Sequence, residues 1–471
     1  MDPEDAETGR QPLLLGVDLG TSSLKCGLFD PAGRRFGAAR VAYPTSERPG
    51  RAEQSAEDWW RALVEGVRRA AAGLDPARVA GVAVGGHAPS PVFVDAELVP
   101  VAPVLAWADE RARGHRDRIR DALGRPPADG PERLALEVAA RAAWLRSAEP
   151  ARFARAAHAL LTGDYLVARL TGRPAWTDVH AREVAAAAGL PHGLFGTRQL
   201  RAGETAGAMD AGVARRLGLG SPIPVVTGGL DSFLSSVGSG IAEPGDACLG
   251  TGSSAVAALL ARPPAAGRFA WRGLALLSRV LPLGGRALQW VQTASGEARP
   301  LEVLLQEAAR LPSPRSAAAL GSLLFAGADG VRAALAEALR DRGPVACCRL
   351  VLDALAVAQS RALARFEEEG LPVGRVRSVG RLAGCAEFAQ LQADALGRAV
   401  EVPRETDSGP LGAAMLAAAA LELAPPEAVP RMARVERVHR PRADSARAFE
   451  DAYGELLRPA RGAPSLSRSG P

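Results

Sequence analysis

The stretch LLLGVDLGTSSLKCGLFDPAGRRFGAARVAY occupies residues 13–43 and decides the fold. Leu13–Val17 is a short apolar run that stops at Asp18. Gly20, Thr21, Ser22 and Ser23 follow as a turn. Leu24, Cys26 and Leu28 then alternate with Lys25 and Gly27, the period of a strand. Asp30-Pro31-Ala32-Gly33 has proline second and glycine fourth, as a type I turn prefers. A third strand runs from about Arg35 to Tyr43, so the chain opens with a three-stranded antiparallel meander. Ser55, with Asp58 three residues on, predicts a capped helix whose apolar face is Trp59, Leu63, Val67 and Ala70. Val79–Val84 reads as the next strand. Three strands, a helix and a strand depart from the strict alternation of a doubly wound dinucleotide-binding domain. Leu134–Ser147 and Ala151–Gly172 read as mainly helical.

A second glycine-rich region begins at Pro224. Pro224–Thr227 is a short strand, and Gly228-Gly229-Leu230-Asp231 turns into a helix. After the tight turn Glu243-Pro244-Gly245-Asp246, Ala247–Leu249 and Ala255–Leu260 flank Gly250-Thr251-Gly252-Ser253-Ser254. This hairpin echoes the one at Gly20, and an internal echo points to two duplicated domains. The expected organisation is a disordered tail at 1–11, domains at 12–255 and 256–455, and a disordered tail at 456–471. The second domain reads as mostly Ala/Leu-rich helix with strands near Val376–Val379 and Ala399–Val402.

With 471 residues, 47% apolar and 23% charged, the chain is too long for one core and too apolar for a disordered one. Its longest apolar run, Leu411–Leu421, is too short to span a bilayer, and MDPEDAETGR at the start is no secretory signal. The five cysteines show no metal-binding spacing, so reduced thiols in a cytoplasmic protein are expected. The net charge of +5 comes from scattered arginines, with Lys25 the only lysine, which argues against a nucleic-acid face.

Asp18-Leu19-Gly20-Thr21-Ser22-Ser23-Leu24-Lys25 combines a turn whose amides and hydroxyls suit a phosphate with a strand-end carboxylate suited to Mg²⁺ through water. Asp231, behind two glycines at a strand end, suits a general base on a substrate hydroxyl, and on local grounds it suits a helix N-cap equally. His87 follows Gly85-Gly86 at the end of a strand, where ligands bind in open α/β sheets, and Trp107 and Asp109 precede Arg111. Taken singly, each of these also fits a structural role. Cys347-Cys348 lies in an apolar helix and reads as core.

Together these segments resemble the FGGY carbohydrate kinases over about residues 12–422. Asp18–Lys25 is similar to the family's first phosphate motif. Trp107-Ala108-Asp109-Glu110-Arg111 is similar to its sugar-site segment, and Ala157–Gly172 to its helix ending in Leu-Thr-Gly. Gly228-Gly229-Leu230-Asp231 is similar to the segment carrying its catalytic base, and Glu243–Asp246 with Gly250-Thr251-Gly252 to its second phosphate motif. Gly284–Trp290, Gln390–Val400 and Leu411–Ala414 match its joining segment and nucleotide half.

The resemblance implies an α/β fold of two ribonuclease H-like (actin-like ATPase, ASKHA) domains facing each other across a cleft. It implies transfer of the ATP γ-phosphate to a sugar or polyol hydroxyl with Mg²⁺. Asp231 would be the base. Asp18, Gly20, Thr21, Ser22, Ser23, Lys25, Gly250, Thr251, Gly252, Ser253, Gly380 and Arg381 would bind ATP. Gly86, His87, Trp107, Asp109 and Asp231 would bind the sugar, and Asp18 and Asp231 would hold Mg²⁺ through water. The implied partner is a small molecule, without nucleic acid or membrane, and a homodimer is among the assemblies it allows.

Three departures stand out. Gly380-Arg381-Leu382-Ala383 replaces the family's Gly-Gly-Gly-Ala adenosine loop, which puts two bulky side chains where the backbone is expected to approach the nucleotide. A long loop of the second domain has no counterpart between Leu320 and Val345. Gly85-Gly86-His87-Ala88-Pro89-Ser90 replaces Ser-Gly-Gln-Met-His-Gly, so Pro89 offers neither imidazole nor amide to a pentulose hydroxyl and D-xylulose is expected to be a poor substrate. These departures leave room for a second reading, a catalytically weakened homologue that binds sugar or nucleotide and regulates.

Overall fold

A computed structural model of the chain describes residues 11–125, 130–177, 181–196, 198–263, 269–313 and 316–457. They divide into two compact units, one of Met1–Gly240, Ala266–Arg272 and Gly409–Met432, the other of Ile241–Ala265, Gly273–Ser408 and Ala433–Pro471.

The first unit carries β1 (Leu13–Leu19), β2 (Ser23–Phe29), β3 (Arg35–Ala42), β4 (Val79–Gly86) and β5 (Pro224–Leu230). Its sheet runs Thr205–Ala208, β5, β4, β1, β2, β3. The opening meander is antiparallel, whereas β4 pairs parallel to β1 and β5 parallel to β4. All seven residues of β1 are buried, as expected of a central strand covered on both faces. Gly409–Ala420 packs on β1 and on the helix Asp231–Gly238.

The second unit carries β6 (Ala247–Thr251), β7 (Ala255–Ala261), β8 (Leu274–Val280), β9 (Val376–Gly380) and β10 (Val400–Pro403). They lie in the order β8, β7, β6, β9, β10, with Val435–His439 beyond β10. The pattern repeats that of the first unit: an antiparallel meander followed by parallel strands.

Several expectations are corrected. A join at 255/256 would cut the β6–β7 hairpin, whose strands pair from Ala247↔Leu259 to Thr251↔Ala255 and therefore belong to one sheet. The chain leaves the first unit at Gly240 and returns to it for Ala266–Arg272 and again for Gly409–Met432. Ser55 precedes the helix Ala56–Ala70 but its side chain makes no capping bond. Residues 151–172 are mainly helical as expected, in two pieces, because His158–Leu160 pairs with Val92–Val94 and separates Pro150–Phe153 from Thr162–Thr171. The helix Ala443–Leu457 enters the segment expected as a C-terminal tail, Gln11 of the expected N-terminal tail accepts from Arg78 Nε at 3.1 Å, and the rest of both tails lies outside the described residues.

Among the described residues one helix, Gly330–Glu368, is long and apolar enough to cross a membrane, and its apolar window is 72% buried. It is the core helix of the second unit, where Cys347 and Cys348 are fully buried as expected, and Gly343 at φ 75° breaks it.

Candidate active site

Parallel register brings the site together. Asp18 lies opposite Gly85 across β1 and β4, and Gly229 lies opposite Gly85 across β4 and β5. Asp18, Gly85-Gly86 and Asp231 thus share the carboxyl edge of one sheet, where such sheets bind ligands. Asp18 is 1% exposed. Lys25 faces it in the antiparallel register and places Nζ 3.1 Å from Oδ2. A Cβ on Gly409 would sit 2.3 Å from the same Oδ2, so only glycine lets the start of Gly409–Ala420 approach this carboxylate.

Asp231 is the first residue of its helix, and its Oδ1 accepts the amide of Ser232 at 2.7 Å. Leu230, not Asp231, stands at the N-cap position. Burial first, and then the charge of Asp18, push its pKa up to about 6, against the Ser232 amide and Lys25. Burial and the charges of Asp18 and Asp231 likewise hold Tyr43 well above the ordinary phenol value. One carboxyl of the pair is therefore poised near neutrality, as a general base requires.

The turn Gly20–Ser23 is held by hydrogen bonds to its carbonyls and hydroxyls. The Gly20 carbonyl accepts from Tyr43 Oη, the Ser22 carbonyl from the Tyr43 amide at 3.2 Å, and the Thr21 carbonyl from Gln54 Nε2 at 2.7 Å. Trp107 Nε1 donates to Thr21 Oγ1 at 3.3 Å and Arg40 to Ser23 Oγ at 3.2 Å.

Among the residues expected at the sugar, Trp107 is half-buried beside this turn. Both oxygens of Asp109 are taken, Oδ1 by the Arg111 amide and Nε, and Oδ2 by the Arg111 guanidinium and the Ala52 amide at 2.9 Å. Burial raises its pKa, but the Arg111 and Ala52 hydrogen bonds outweigh burial and hold it below the usual value. Arg111 also pairs with Glu53 at 2.6 Å and lies over the Trp144 ring.

His87, expected at the sugar, is enclosed, and its Nε2 has no hydrogen-bond partner among the described residues. The ring is 2% exposed, edge-to-face with Trp59 at 5.4 Å, and its Nδ1 is 3.3 Å from Ser90 Oγ. Burial lowers its pKa to about 4, so it is neutral near pH 7. Gly86 is also buried, and a Cβ there would meet Thr162 Oγ1 at 2.4 Å. It serves the packing of β4 on the helix Thr162–Thr171.

In the second unit Thr251 is buried and its hydroxyl donates to the Val379 carbonyl at 2.9 Å. Gly252 is exposed, and Gly250 and Ser253 are half-buried. The Gly252 carbonyl accepts the Gly285 amide at 2.9 Å and the Ser253 carbonyl the Arg286 amide at 3.2 Å. Gly380, at φ 96°, lies against Thr251, where a Cβ would meet the Thr251 carbonyl oxygen at 2.5 Å. The adenosine-loop expectation is half corrected. Leu382 is 2% exposed and turns into the core, so only Arg381, with a 50% exposed side chain, adds bulk at the surface.

Sequence reading missed Tyr43, Gln54 and Gly409. Gln54 lies in the polar run Arg51–Ser55, where nothing marks it as buried. Gly409-Pro410 is a recognisable helix start, but its closeness to Asp18 is a long-range contact with no local signature.

Two units with the same strand order, each presenting a glycine-rich hairpin, define a protein of the actin-like ATPase class. Models of the FGGY family of carbohydrate kinases match residues 13–238 (N-terminal domain) and 247–421 (C-terminal domain). The chain belongs to the FGGY family of carbohydrate kinases and is by class an ATP-dependent sugar kinase. It is 29% identical to a xylulose kinase of Streptomyces rubiginosus over 89% of this chain and 90% of that one. With the xylulose kinase of Streptomyces coelicolor it shares 32% identity over 54% of this chain and 56% of the relative. A ligand-bound xylulose kinase from Lactobacillus acidophilus has the same fold, with TM-score 0.76 and 18% identity over 94% of this chain and 97% of that one.

Proposed function

We propose that the chain transfers the γ-phosphoryl group of ATP to a hydroxyl of a sugar or polyol, with Asp231 as general base. The observation that carries this reading is the Asp231 carboxyl, raised to about 6 by burial and by Asp18 at the shared edge of the sheet. Asp231 takes the proton of the attacking hydroxyl, and phosphoryl transfer otherwise asks for positioning and charge stabilisation. The hairpin amides at Thr21, Ser22 and Ser253 supply donors for phosphate oxygens.

Asp18 and Asp231 fit Mg²⁺. They are hard oxygen donors whose charges oppose each other across Lys25. An ion there would be held by one or two carboxylates, water and substrate phosphates. When bound, Mg²⁺ neutralises charge on the phosphates.

Trp107 lines the acceptor side, and Asp109 fixes the Trp107–Arg111 segment through Arg111 and Ala52. The named xylulose kinases among the relatives make a ketopentose the first acceptor to try. Pro89 and the enclosed His87 ring favour a different hydroxyl pattern, so we expect D-xylulose to be outrun by another sugar or polyol. The cytosol suits the five free thiols. Calorimetric titration with ATP–Mg²⁺, followed by ADP release across sugars and polyols, tests the reading. Turnover of at least one acceptor is expected. Nucleotide binding without turnover of any acceptor would favour the regulatory reading instead.

A further inference from the structure

The hairpin at Gly20 invites an account of every backbone group. In a trans peptide the carbonyl of one residue and the amide of the next point in opposite directions. Holding the Gly20 carbonyl therefore aims the Thr21 amide, and holding the Thr21 carbonyl aims the Ser22 amide. The first is held by Tyr43 Oη and the second by Gln54 Nε2 at 2.7 Å. Gln54 is itself fixed by a second bond to Thr45 Oγ1 at 2.7 Å, and is 4% exposed. Tyr43 is locked by its own amide on the Ser22 carbonyl and by packing against the Trp59 ring at 6.3 Å. Among the described residues, neither the Thr21 nor the Ser22 amide has an acceptor. Adjacent backbone amides without a partner can form an anion-binding concavity.

We propose that Tyr43 and Gln54 are positioning residues for the phosphate: by pulling the Gly20 and Thr21 carbonyls to one side they fix the Thr21 and Ser22 amides as its donors. This rests on the kinase reading above and adds to it the two side chains that shape the phosphate-facing turn. Neither touches the phosphate. Gln54 is placed to work as a donor, so a carboxylate of the same length would repel the Thr21 carbonyl and free the turn. Tyr43 does its work through one hydroxyl, and its ring remains available for packing when that oxygen is removed.

The test uses the full chain, with ADP–Mg²⁺ titrated calorimetrically and ATP and acceptor KM measured separately. Tyr43→Phe removes only the hydroxyl and is expected to weaken ADP binding and raise ATP KM by ~5- to 10-fold, the loss of about one hydrogen bond. Acceptor KM should move less than twofold and the melting midpoint by only a few degrees. Gln54→Glu should weaken ADP binding further, by ~100-fold, because it adds a negative charge behind the phosphate donors. If Gln54→Glu fails to fold, Tyr43→Phe still decides. Wild-type ADP affinity in Tyr43→Phe would overturn the proposal, as would an equal rise in both KM values. A fall in kcat alone would also overturn it, since Tyr43 would then be acting on Asp231. Failure of the wild type to bind ADP–Mg²⁺ would remove the kinase reading itself, which keeps the two outcomes distinct.

Discussion

At the first hairpin the carbonyls of Gly20 and Thr21 are held by the side chains of Tyr43 and Gln54. At the second, the carbonyls of Gly252 and Ser253 are held by the backbone amides of Gly285 and Arg286, at the start of the helix Gly285–Ala294. In both arrangements two successive carbonyls of the turn are held by hydrogen bonds. They differ in what surrounds the turn. The first hairpin sets Asp18 opposite Lys25, with Asp231 near enough to share its field. At the second, Gly250 lies opposite Val256 and Thr251 opposite Ala255, a cross-strand pair without charge, and the Thr251 hydroxyl is committed to Val379. On the proposed function, duplicated strand order carries unequal chemistry: Asp18, Lys25 and Asp231 lie in the first unit, whereas the hairpin of the second is uncharged.

The largest effect short of removing the base should come from Gly409→Ala. Its Cβ would fall 2.3 Å from Asp18 Oδ2 and displace that carboxylate. Misplacement of a positioned group by about 1 Å costs ~100-fold, so kcat/KM should fall by that order while circular dichroism stays native. The counterpart at the second hairpin is Gly285→Ala, whose Cβ would meet the Gly252 carbonyl oxygen at 2.7 Å. If the units divide their labour as described, this variant raises ATP KM by ~10-fold and leaves kcat within a few-fold. An equal fall in kcat for both variants would erase the comparison.

A smaller effect is expected from His87→Ala. Loss of a buried ring packed on Trp59 should lower stability by about 2 kcal/mol and the melting midpoint by several degrees. Acceptor KM should shift less than threefold. A tenfold rise at unchanged melting temperature would restore His87 as a sugar contact. The smallest effect is Arg381→Gly. The side chain is 50% exposed and lies 3.8 Å from Glu302, an ion pair of small worth. ADP affinity should change less than threefold, and a larger loss would mean that the guanidinium stacks on the base.

Local pattern made the meander, the two hairpins and the strand before Asp231 legible, because alternation and glycine-rich turns are short-range signals. The echo of Gly20 at Gly250 was legible for the same reason. What escaped was long-range. The three residues His158–Leu160 carry no strand pattern of their own and form one by pairing with Val92–Val94. The return of Gly409–Met432 to the first unit follows from packing on β1. At the site, Asp18, Lys25 and Asp231 were visible as a charged set at strand ends, whereas the burial of His87 and Gly86 was not, because a strand-end position carries no signal of it. Leu382 was misjudged in the same way: its bulk is spent in the core.

The central claim is that Asp231 is the base, and kcat/KM against pH tests it most directly, on wild type and Asp231→Asn with the best acceptor found. The Asp231 carboxyl is raised to about 6 and works when ionised, so wild-type kcat/KM should be level above that pH and fall about tenfold per unit below it. Asp231→Asn should bind ADP–Mg²⁺ within a few-fold of wild type. Its kcat/KM should lie ~10²–10⁴-fold lower and lose the acid limb. Wild-type turnover by Asp231→Asn, with the acid limb unchanged, would contradict the account.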